Sequence, residues 1–199
     1  MKLYYSPGAC SLAAHIALSE TGSAYDLVKV DLKAKKLEDG SDYLAVNPKG
    51  QVPALELDDG SLLTENAAVL QFIGDEAELF VPEASSIDRY RLQEWLNFIG
   101  SELHKTLGPV FNPASTEEAK QAAKDKFLTK LKILDARLQD RDYLMGNFSV
   151  ADCYAFAVLR WTGGNKIDLA GLPHVQSYKD RIAARPKAQE AMAAESVSV

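Results

Sequence analysis

Short apolar runs alternate with helical periodicity in the first third of the chain. The runs that have strand length lie at residues 2–5, 27–30, 54–57 and 61–63. Between the first two runs, apolar residues recur at helical spacing until Gly22, where a helix would end. The last two runs flank Asp-Asp-Gly and predict a hairpin, and a further helix begins near Glu65. The predicted order is β-α-β, a linker, then β-β-α, which is typical of a compact α/β domain.

After Pro82 the strand signals end and only helical periodicity remains. The predicted helices start near Ser86, residues 115–118, Ser149, Pro173 and Pro186. The third of them opens with Ser-Val-Ala-Asp at residues 149–152, which fits a capping box with Asp in place of the usual Glu. The second part of the chain is therefore predicted to be all-helical.

The 199 residues fit one large domain or two small ones, and the change of hydrophobic period near Pro82 favours two. We place an α/β domain at residues 1–76, a linker at 77–85 and an all-helical domain at 86–199. Hydrophobic residues make up 47% and charged residues 25% of the chain, as in ordinary globular proteins. No apolar run is long enough to cross a membrane, and Ser6-Pro7-Gly8 interrupts any signal-peptide core, so we expect a cytoplasmic protein with no membrane partner.

The charge distribution argues against a nucleic-acid partner. Residues 1–76 contain 6 basic and 12 acidic residues, which accounts for the whole formal charge of −6. Neither half carries the basic stripe that phosphate-backbone binding needs. The 3 histidines show no metal-ligand spacing, and there is no phosphate-binding glycine loop or dinucleotide fingerprint. We therefore expect no metal and no nucleotide cofactor.

Cys10 follows a strand and a Pro-Gly turn and stands at or just before the first turn of a helix. Unsatisfied N–H groups at a helix start favour an anion, so this position predicts a thiolate with a lowered pKa. The alternative is a small residue that fills space at a helix start. The other cysteine, Cys153, lies on an apolar helix face and is predicted to be a buried structural thiol, and two cysteines exclude a disulfide framework.

Two dipeptides resemble ligand-binding elements. A cis bond between Val52 and Pro53 would turn the Val52 backbone outward to pair with an extended ligand, although a trans edge-strand proline is the simpler interpretation. Glu65 and Asn66 open a helix after a strand and suit the α-amino acid end of a small molecule. The alternative is plain capping, with Thr64 as the N-cap.

These features together resemble the thioredoxin-like fold followed by an all-helical domain, the architecture of the cytosolic glutathione transferases. The chain looks most like the bacterial beta class. The matching motifs are Tyr-Ser-Pro-Gly-Ala-Cys-Ser-Leu at 5–12, Asn-Pro-Lys-Gly-Gln-Val-Pro-Ala-Leu at 47–55, Leu-Thr-Glu at 63–65 and Phe-Ser-Val-Ala-Asp at 148–152. In that family the last of these is a folding element. The resemblance covers essentially the whole chain.

The resemblance implies a glutathione site with Cys10 and His104 as its catalytic residues. Cys10 would lie beside the glutathione sulfur, able to form a mixed disulfide with it. The implied glutathione-binding residues are Cys10, Lys35, Gln51, Val52, Pro53, Glu65, Asn66, Asn97, Ser101, Glu102, Leu103, His104 and Lys105. Among these, Lys35 would approach the glycyl carboxylate, and Asn66 departs from the Ser or Thr common at its position.

The resemblance implies a homodimeric transferase that uses glutathione as co-substrate and conjugates its thiol to a hydrophobic electrophile. We expect the electrophile near Phe111 and Trp161. Two alternatives stay open. One is glutathione-dependent thiol–disulfide exchange through Cys10, and the other is a non-catalytic hydrophobic-ligand or regulatory binding protein on the same scaffold.

Overall fold

The computed structural model describes residues 1–198, and its first domain is built on a five-stranded mixed sheet. The strands are β1 (Lys2–Tyr5), β2 (Asp26–Asp31), β3 (Lys36–Leu37), β4 (Ala54–Glu56) and β5 (Leu62–Thr64). Their order in the sheet is β3-β2-β1-β4-β5. Strands β1 and β2 are parallel, and the other pairs are antiparallel. The predicted α/β domain is confirmed, with β3 as a strand too short to stand out in the sequence.

Successive side chains of a strand point to opposite faces of the sheet, and here both faces carry apolar side chains that helices cover. Helices α1 (Leu12–Thr21) and α3 (Asn66–Ala77) pack on the face that carries Leu3 and Leu55. The opposite face carries Tyr4 and Ala54, which pack with Tyr43 of the short helix α2 (Tyr43–Val46). The linker predicted between the two sheet halves therefore contains β3 and α2.

The rest of the chain is helical, as predicted. Its α-helices are α4 (Ile87–Phe98), α5 (Gly108–Phe111), α6 (Glu117–Arg137), α7 (Val150–Leu159), α8 (Trp161–Gly164), α9 (Pro173–Ala183) and α10 (Pro186–Ala194). A π-helical segment, Ile99–His104, continues α4, and a 3₁₀ turn, Lys105–Leu107, follows it. The single long helix predicted from Ser86 is therefore wider in its second part. Such widened turns are frequent at functional sites.

Helix α7 forms the centre of the helical domain, and all ten of its residues are buried. The predicted capping box is present at its start. The Asp152 carboxylate accepts hydrogen bonds from the Ser149 backbone at 2.7 Å and from the Ser149 hydroxyl at 2.8 Å. It also accepts from the Leu144 backbone at 2.9 Å and the Tyr178 hydroxyl at 2.7 Å. This one carboxylate joins α7 to α9 and to the preceding loop.

The two parts of the chain share one apolar core. Helix α1 packs against α7 and α10, so side chains of both parts belong to a single buried cluster. Helix α3 ends at Ala77 and α4 begins at Ile87, and the division at residues 77–85 stays a prediction. Within residues 1–198, no helix combines the length and the apolar character that a membrane crossing requires.

Candidate functional site

A cavity of about 940 Å³ lies between the α/β domain and the helical domain. Its size is within the range of small-molecule sites. One wall is formed by the loop before α1, the chain before β4 and the start of α3. The other wall is formed by the end of α4, the π-helical segment and one residue each of α5, α7 and α8. The predicted site residues that line it are Cys10, Gln51, Val52, Pro53, Glu65, Asn66, Asn97, Ser101, His104 and Lys105.

Cys10 lies in the turn before α1, and its thiol contacts the Val52 carbonyl. Its Sγ donates to the Val52 oxygen at 3.2 Å. Burial raises the pKa of the Cys10 thiol to about 12, although backbone N–H groups act in the opposite direction. The prediction of a lowered pKa is therefore wrong for this protein, because desolvation outweighs the favourable field of the helix start.

We expect Cys10 to react slowly with alkylating reagents at pH 8. A thiol of pKa about 12 is deprotonated there only to about one part in ten thousand, whereas an ordinary thiol is partly ionised. Iodoacetamide labelling followed by mass spectrometry should modify Cys10 at least about 100-fold more slowly than reduced glutathione in the same tube. Unfolding in urea should remove the difference. Native labelling as fast as that of glutathione would contradict the raised pKa of Cys10.

The loop that carries Cys10 is held by the helical domain at Gly8. The Gly8 carbonyl accepts from Trp161 Nε1 at 2.9 Å and from the Arg160 guanidinium at 2.8 Å. Its N–H donates to the buried Glu195 carboxylate at 2.9 Å, and Glu195 also pairs with His15 at 2.9 Å. These contacts span up to 187 residues of sequence, and no local pattern indicates them.

The Val52–Pro53 peptide bond is cis. The chain just before it is held from within the domain, since the Gln51 carbonyl accepts from the Tyr43 hydroxyl at 2.7 Å and from Asn47 Nδ2 at 2.8 Å. Val52 is buried and its carbonyl faces the Cys10 thiol, as the hydrogen bond above shows. This segment therefore presents backbone to the cavity directly beside Cys10.

Glu65 occupies the N-cap position of α3 with φ 74° and ψ 121°, a conformation that non-glycine residues rarely adopt. Such backbone conformations cost of the order of 1–3 kcal/mol and cluster at functional sites. The Glu65 carboxylate pairs with the Lys49 ammonium at 2.7 Å, so it already accepts a cation at the cavity wall. The N-cap is thus Glu65 and not Thr64, and Glu65 makes no side-chain cap.

Asn66 begins α3, and its side chain points back toward Cys10. Its Nδ2 donates to the Cys10 carbonyl at 2.9 Å, and its buried Oδ1 has no partner among the described residues. The side chain therefore helps to fix the Cys10 loop, in addition to its predicted place at the ligand.

Three residues implied by the resemblance lie outside the cavity. Lys35 donates to the Gly50 carbonyl at 2.7 Å, and Lys49 lines the cavity instead. Leu103 is fully buried in the core, and Glu102 pairs with Lys130 at 2.7 Å. Their neighbours Ser101, His104 and Lys105 face the cavity because successive residues of a helix point in different directions. The binding roles of these three residues stay predictions, and their side chains do not line the cavity.

An aromatic cluster forms the wall opposite Glu65. Trp161 has its ring centroid 5.0 Å from His104 and 5.0 Å from Phe111. Phe111 and Trp161 both line the cavity, where the hydrophobic electrophile was expected. Tyr154 also lines it, and its hydroxyl lies 2.9 Å from His104 Nδ1. Tyr154 was predicted only to lie on an apolar helix face, and its polar contact was not predicted.

Burial sets the ionisation of the polar groups in this wall. It lowers the pKa of His104, which favours a neutral imidazole near pH 7. Burial also raises the pKa of Tyr154, and the nearby Cys10 raises it further, so Tyr154 keeps its proton. Among residues 1–198 there is no cluster of three or more His, Cys, Asp or Glu side chains suited to a metal ion. The site thus combines a thiol, a carboxylate, backbone polar groups and neutral aromatic donors.

A thioredoxin-like domain followed by a helical domain, with a cavity between the two, is the architecture of the glutathione transferases. The profile described as "Glutathione S-transferase, N-terminal domain" matches residues 1–75, and that described as "Glutathione S-transferase, C-terminal domain" matches residues 98–186. The chain is 49% identical to glutathione S-transferase GstA of Escherichia coli O157:H7 over 98% of both chains. The chain belongs to the glutathione S-transferase family.

Solved structures narrow this family membership to a class. The bacterial beta class glutathione S-transferase of Sphingomonas chungbukensis is 48% identical and superposes with a TM-score of 0.95 over 100% of both chains. A sphingomonad glutathione S-transferase complexed with glutathione is also 48% identical, with a TM-score of 0.94 and the same coverage. The predicted beta-class resemblance is confirmed.

Proposed function

We propose that this protein binds glutathione in the cavity between its domains and conjugates the glutathione thiol to hydrophobic electrophiles. One observation carries the proposal. A single cavity brings Cys10, the Val52 backbone and Glu65 together with the aromatic wall of Phe111 and Trp161. A tripeptide thiol fits the first group, and an apolar co-substrate fits the second. Family membership and relatives named as transferases support the same activity.

Glutathione would lie along the wall formed by the α/β domain. Its γ-glutamyl ammonium would pair with the Glu65 carboxylate, which already accepts the Lys49 ammonium. Its α-carboxylate would meet the free N–H groups at the start of α3. The cysteinyl backbone would pair with Val52, which places the sulfur beside Cys10.

The electrophile would rest against the aromatic wall, within reach of the glutathione sulfur. The thiolate attacks the electrophilic carbon and forms a carbon–sulfur bond, and the leaving group departs with its electron pair. Holding both reactants in one cavity lowers the activation barrier, because the reacting atoms are already close together. Hydrogen bonds to the thiolate stabilise its negative charge.

Cys10 would act in this reaction as a hydrogen-bonding neighbour of the glutathione sulfur. The Cys10 side chain is partly buried, desolvation raises its pKa to about 12, and its thiol already donates to a carbonyl. A protonated thiol donates a hydrogen bond to a thiolate, whereas thiol–disulfide exchange requires Cys10 itself to ionise. The geometry therefore favours conjugation over exchange.

The variant Cys10→Ser separates these two activities. A serine hydroxyl still donates to the glutathione thiolate, so conjugation of chlorodinitrobenzene should fall by less than about tenfold. Glutathione-dependent reduction of a disulfide by Cys10 should be abolished. Cys153→Ala, which removes a core thiol that does not line the cavity, is the matched control and should keep both activities. Equal loss of both activities in Cys10→Ser would contradict this division of roles.

We propose further that the protein acts as a homodimer in the cytoplasm, as the family resemblance implies. On α4, Ile87 is 64% exposed and Tyr90 is 59% exposed, three positions apart on one helix. Apolar residues so placed suit contact with a second copy.

A further inference from the structure

Tyr154 makes a contact that the reaction described above does not use. Its hydroxyl lies 2.9 Å from Nδ1 of His104, and the two rings meet edge to face with centroids 5.9 Å apart. Tyr154 is 5% exposed, and Trp161 contacts the His104 ring as well. The imidazole is therefore held on two sides by aromatic rings and at one nitrogen by a hydrogen bond.

The direction of that hydrogen bond follows from the partners available. A buried hydroxyl must donate its proton to an acceptor. Within residues 1–198, His104 Nδ1 is the acceptor found within hydrogen-bond distance of the Tyr154 hydroxyl. The Asn66 side chain acts on Tyr154 as a donor, since its hydrogen bond lowers the pKa of Tyr154, and its buried Oδ1 has no hydrogen-bond partner within the same residues. The hydroxyl therefore donates, and Nδ1 accepts.

We propose that Tyr154 is a positioning residue, whose hydroxyl donates to Nδ1 of His104 and fixes the neutral tautomer that carries its proton on Nε2. The hydrogen bond at one ring nitrogen decides which tautomer a histidine adopts. His104 lines the cavity, and its Nε2–H is then free to donate a hydrogen bond to a ligand there.

This tautomer sets the chemistry of His104 in the proposed function, on which the catalytic part of the inference rests. A neutral imidazole with its proton on Nε2 donates a hydrogen bond and does not accept a proton at that atom. His104 would thus stabilise the glutathione thiolate or the charge that develops on the leaving group, as preorganised donors do. It would not be the base that removes the thiol proton.

The variant Tyr154→Phe tests the inference through the pKa of His104. A donor to Nδ1 stabilises only the neutral ring, so its removal should raise the pKa of His104. If Nδ1–H instead donated to the tyrosine oxygen, removal of that oxygen would lower the pKa. The titratable or charged groups that line the cavity with His104 are Cys10, Lys49, Glu65, Lys105 and Tyr154. All except Tyr154 are unchanged in the variant.

Nitrogen-15 NMR of the imidazole provides the readout on the full chain. The wild type should show its proton on Nε2, and Tyr154→Phe should raise the pKa of His104. It should also lower kcat for chlorodinitrobenzene conjugation about threefold to tenfold, with KM for glutathione nearly constant. Tyr25→Phe removes a hydroxyl that lies 2.7 Å from Ser19 Oγ, away from the cavity, and should leave all three quantities unchanged.

Two results would overturn the inference, namely a wild-type proton on Nδ1 or a His104 pKa in Tyr154→Phe that is unchanged or lower. A shifted pKa with unchanged kcat would overturn its catalytic part. A wild type that shows the Nε2 proton but no conjugation would contradict the proposed function and not the Tyr154–His104 pair. The NMR and kinetic readouts therefore fail separately.

Discussion

Replacing Asp152 by alanine is expected to lower the free energy of unfolding by about 4 kcal/mol. Asp152 is fully buried, and its carboxylate accepts four hydrogen bonds, from two backbone N–H groups and the hydroxyls of Ser149 and Tyr178. Alanine removes the helix cap, typically worth about 1 kcal/mol, and leaves buried donors without acceptors at roughly 1–3 kcal/mol each. Local relaxation and water entry keep the total below the simple sum.

Urea unfolding followed by circular dichroism measures this loss. Asp140→Ala is the matched control, because Asp140 is an exposed aspartate whose ion-pair partner within residues 1–198 is its neighbour Arg141, and such pairs contribute little. Its unfolding midpoint should match that of the wild type. If Asp152→Ala lost less than about 1 kcal/mol, the carboxylate would not be the link between α7 and α9 that the structure shows.

The second large effect is expected from Glu65→Gln. The substitution keeps the size of the side chain and removes the charge that would pair with the γ-glutamyl ammonium. Hydrogen bonds to charged groups contribute about 1.5–3 kcal/mol, so kcat/KM for glutathione should fall roughly 10-fold to 100-fold. The loss should appear mainly in KM, because the ammonium lies far from the reacting sulfur.

Initial rates of chlorodinitrobenzene conjugation, measured as glutathione is varied, give these constants. Glu38→Gln is the control, since Glu38 lies in the same domain outside the cavity and only reaches Lys29 at 3.9 Å. It should behave as the wild type does. A Glu65→Gln enzyme with unchanged KM would remove Glu65 from the glutathione site.

Local signals were sufficient to predict most elements of the fold. Asp58-Asp59-Gly60 marked the β4–β5 hairpin, and Ser149 with Asp152 marked the start of α7. Strand β3 has only two residues, Lys36 and Leu37, and no alternation that a sequence could display. Its pairing with β2 depends on tertiary context.

The site was predictable where a residue type and a chain turn coincide, as at Cys10, Val52 and Glu65. It was not predictable where long-range burial decides. The Cys10 thiol contacts Val52, which is 42 positions away in the sequence, and desolvation raises its pKa. An argument from the helix start alone predicts a lowered pKa instead. Lys35 and Lys49 are both lysines near the cavity, and only the folded chain shows that Lys35 turns to Gly50.

The polar role of Tyr154 was missed for a related reason. Its spacing on α7 is that of an apolar core position, and the ring is indeed buried. Only the approach of the π-helical segment brings His104 to its hydroxyl, across 50 residues of sequence. A tyrosine on an apolar helix face that also borders a cavity is the one signal that would have indicated such a role.

Calorimetric titration with reduced glutathione tests most directly the central claim that the inter-domain cavity is a glutathione site. The wild type should bind one glutathione per chain with saturation, and Glu65→Gln should bind roughly 10-fold to 100-fold more weakly. Absence of saturable binding at millimolar glutathione, or equal affinity in the two proteins, would contradict the claim.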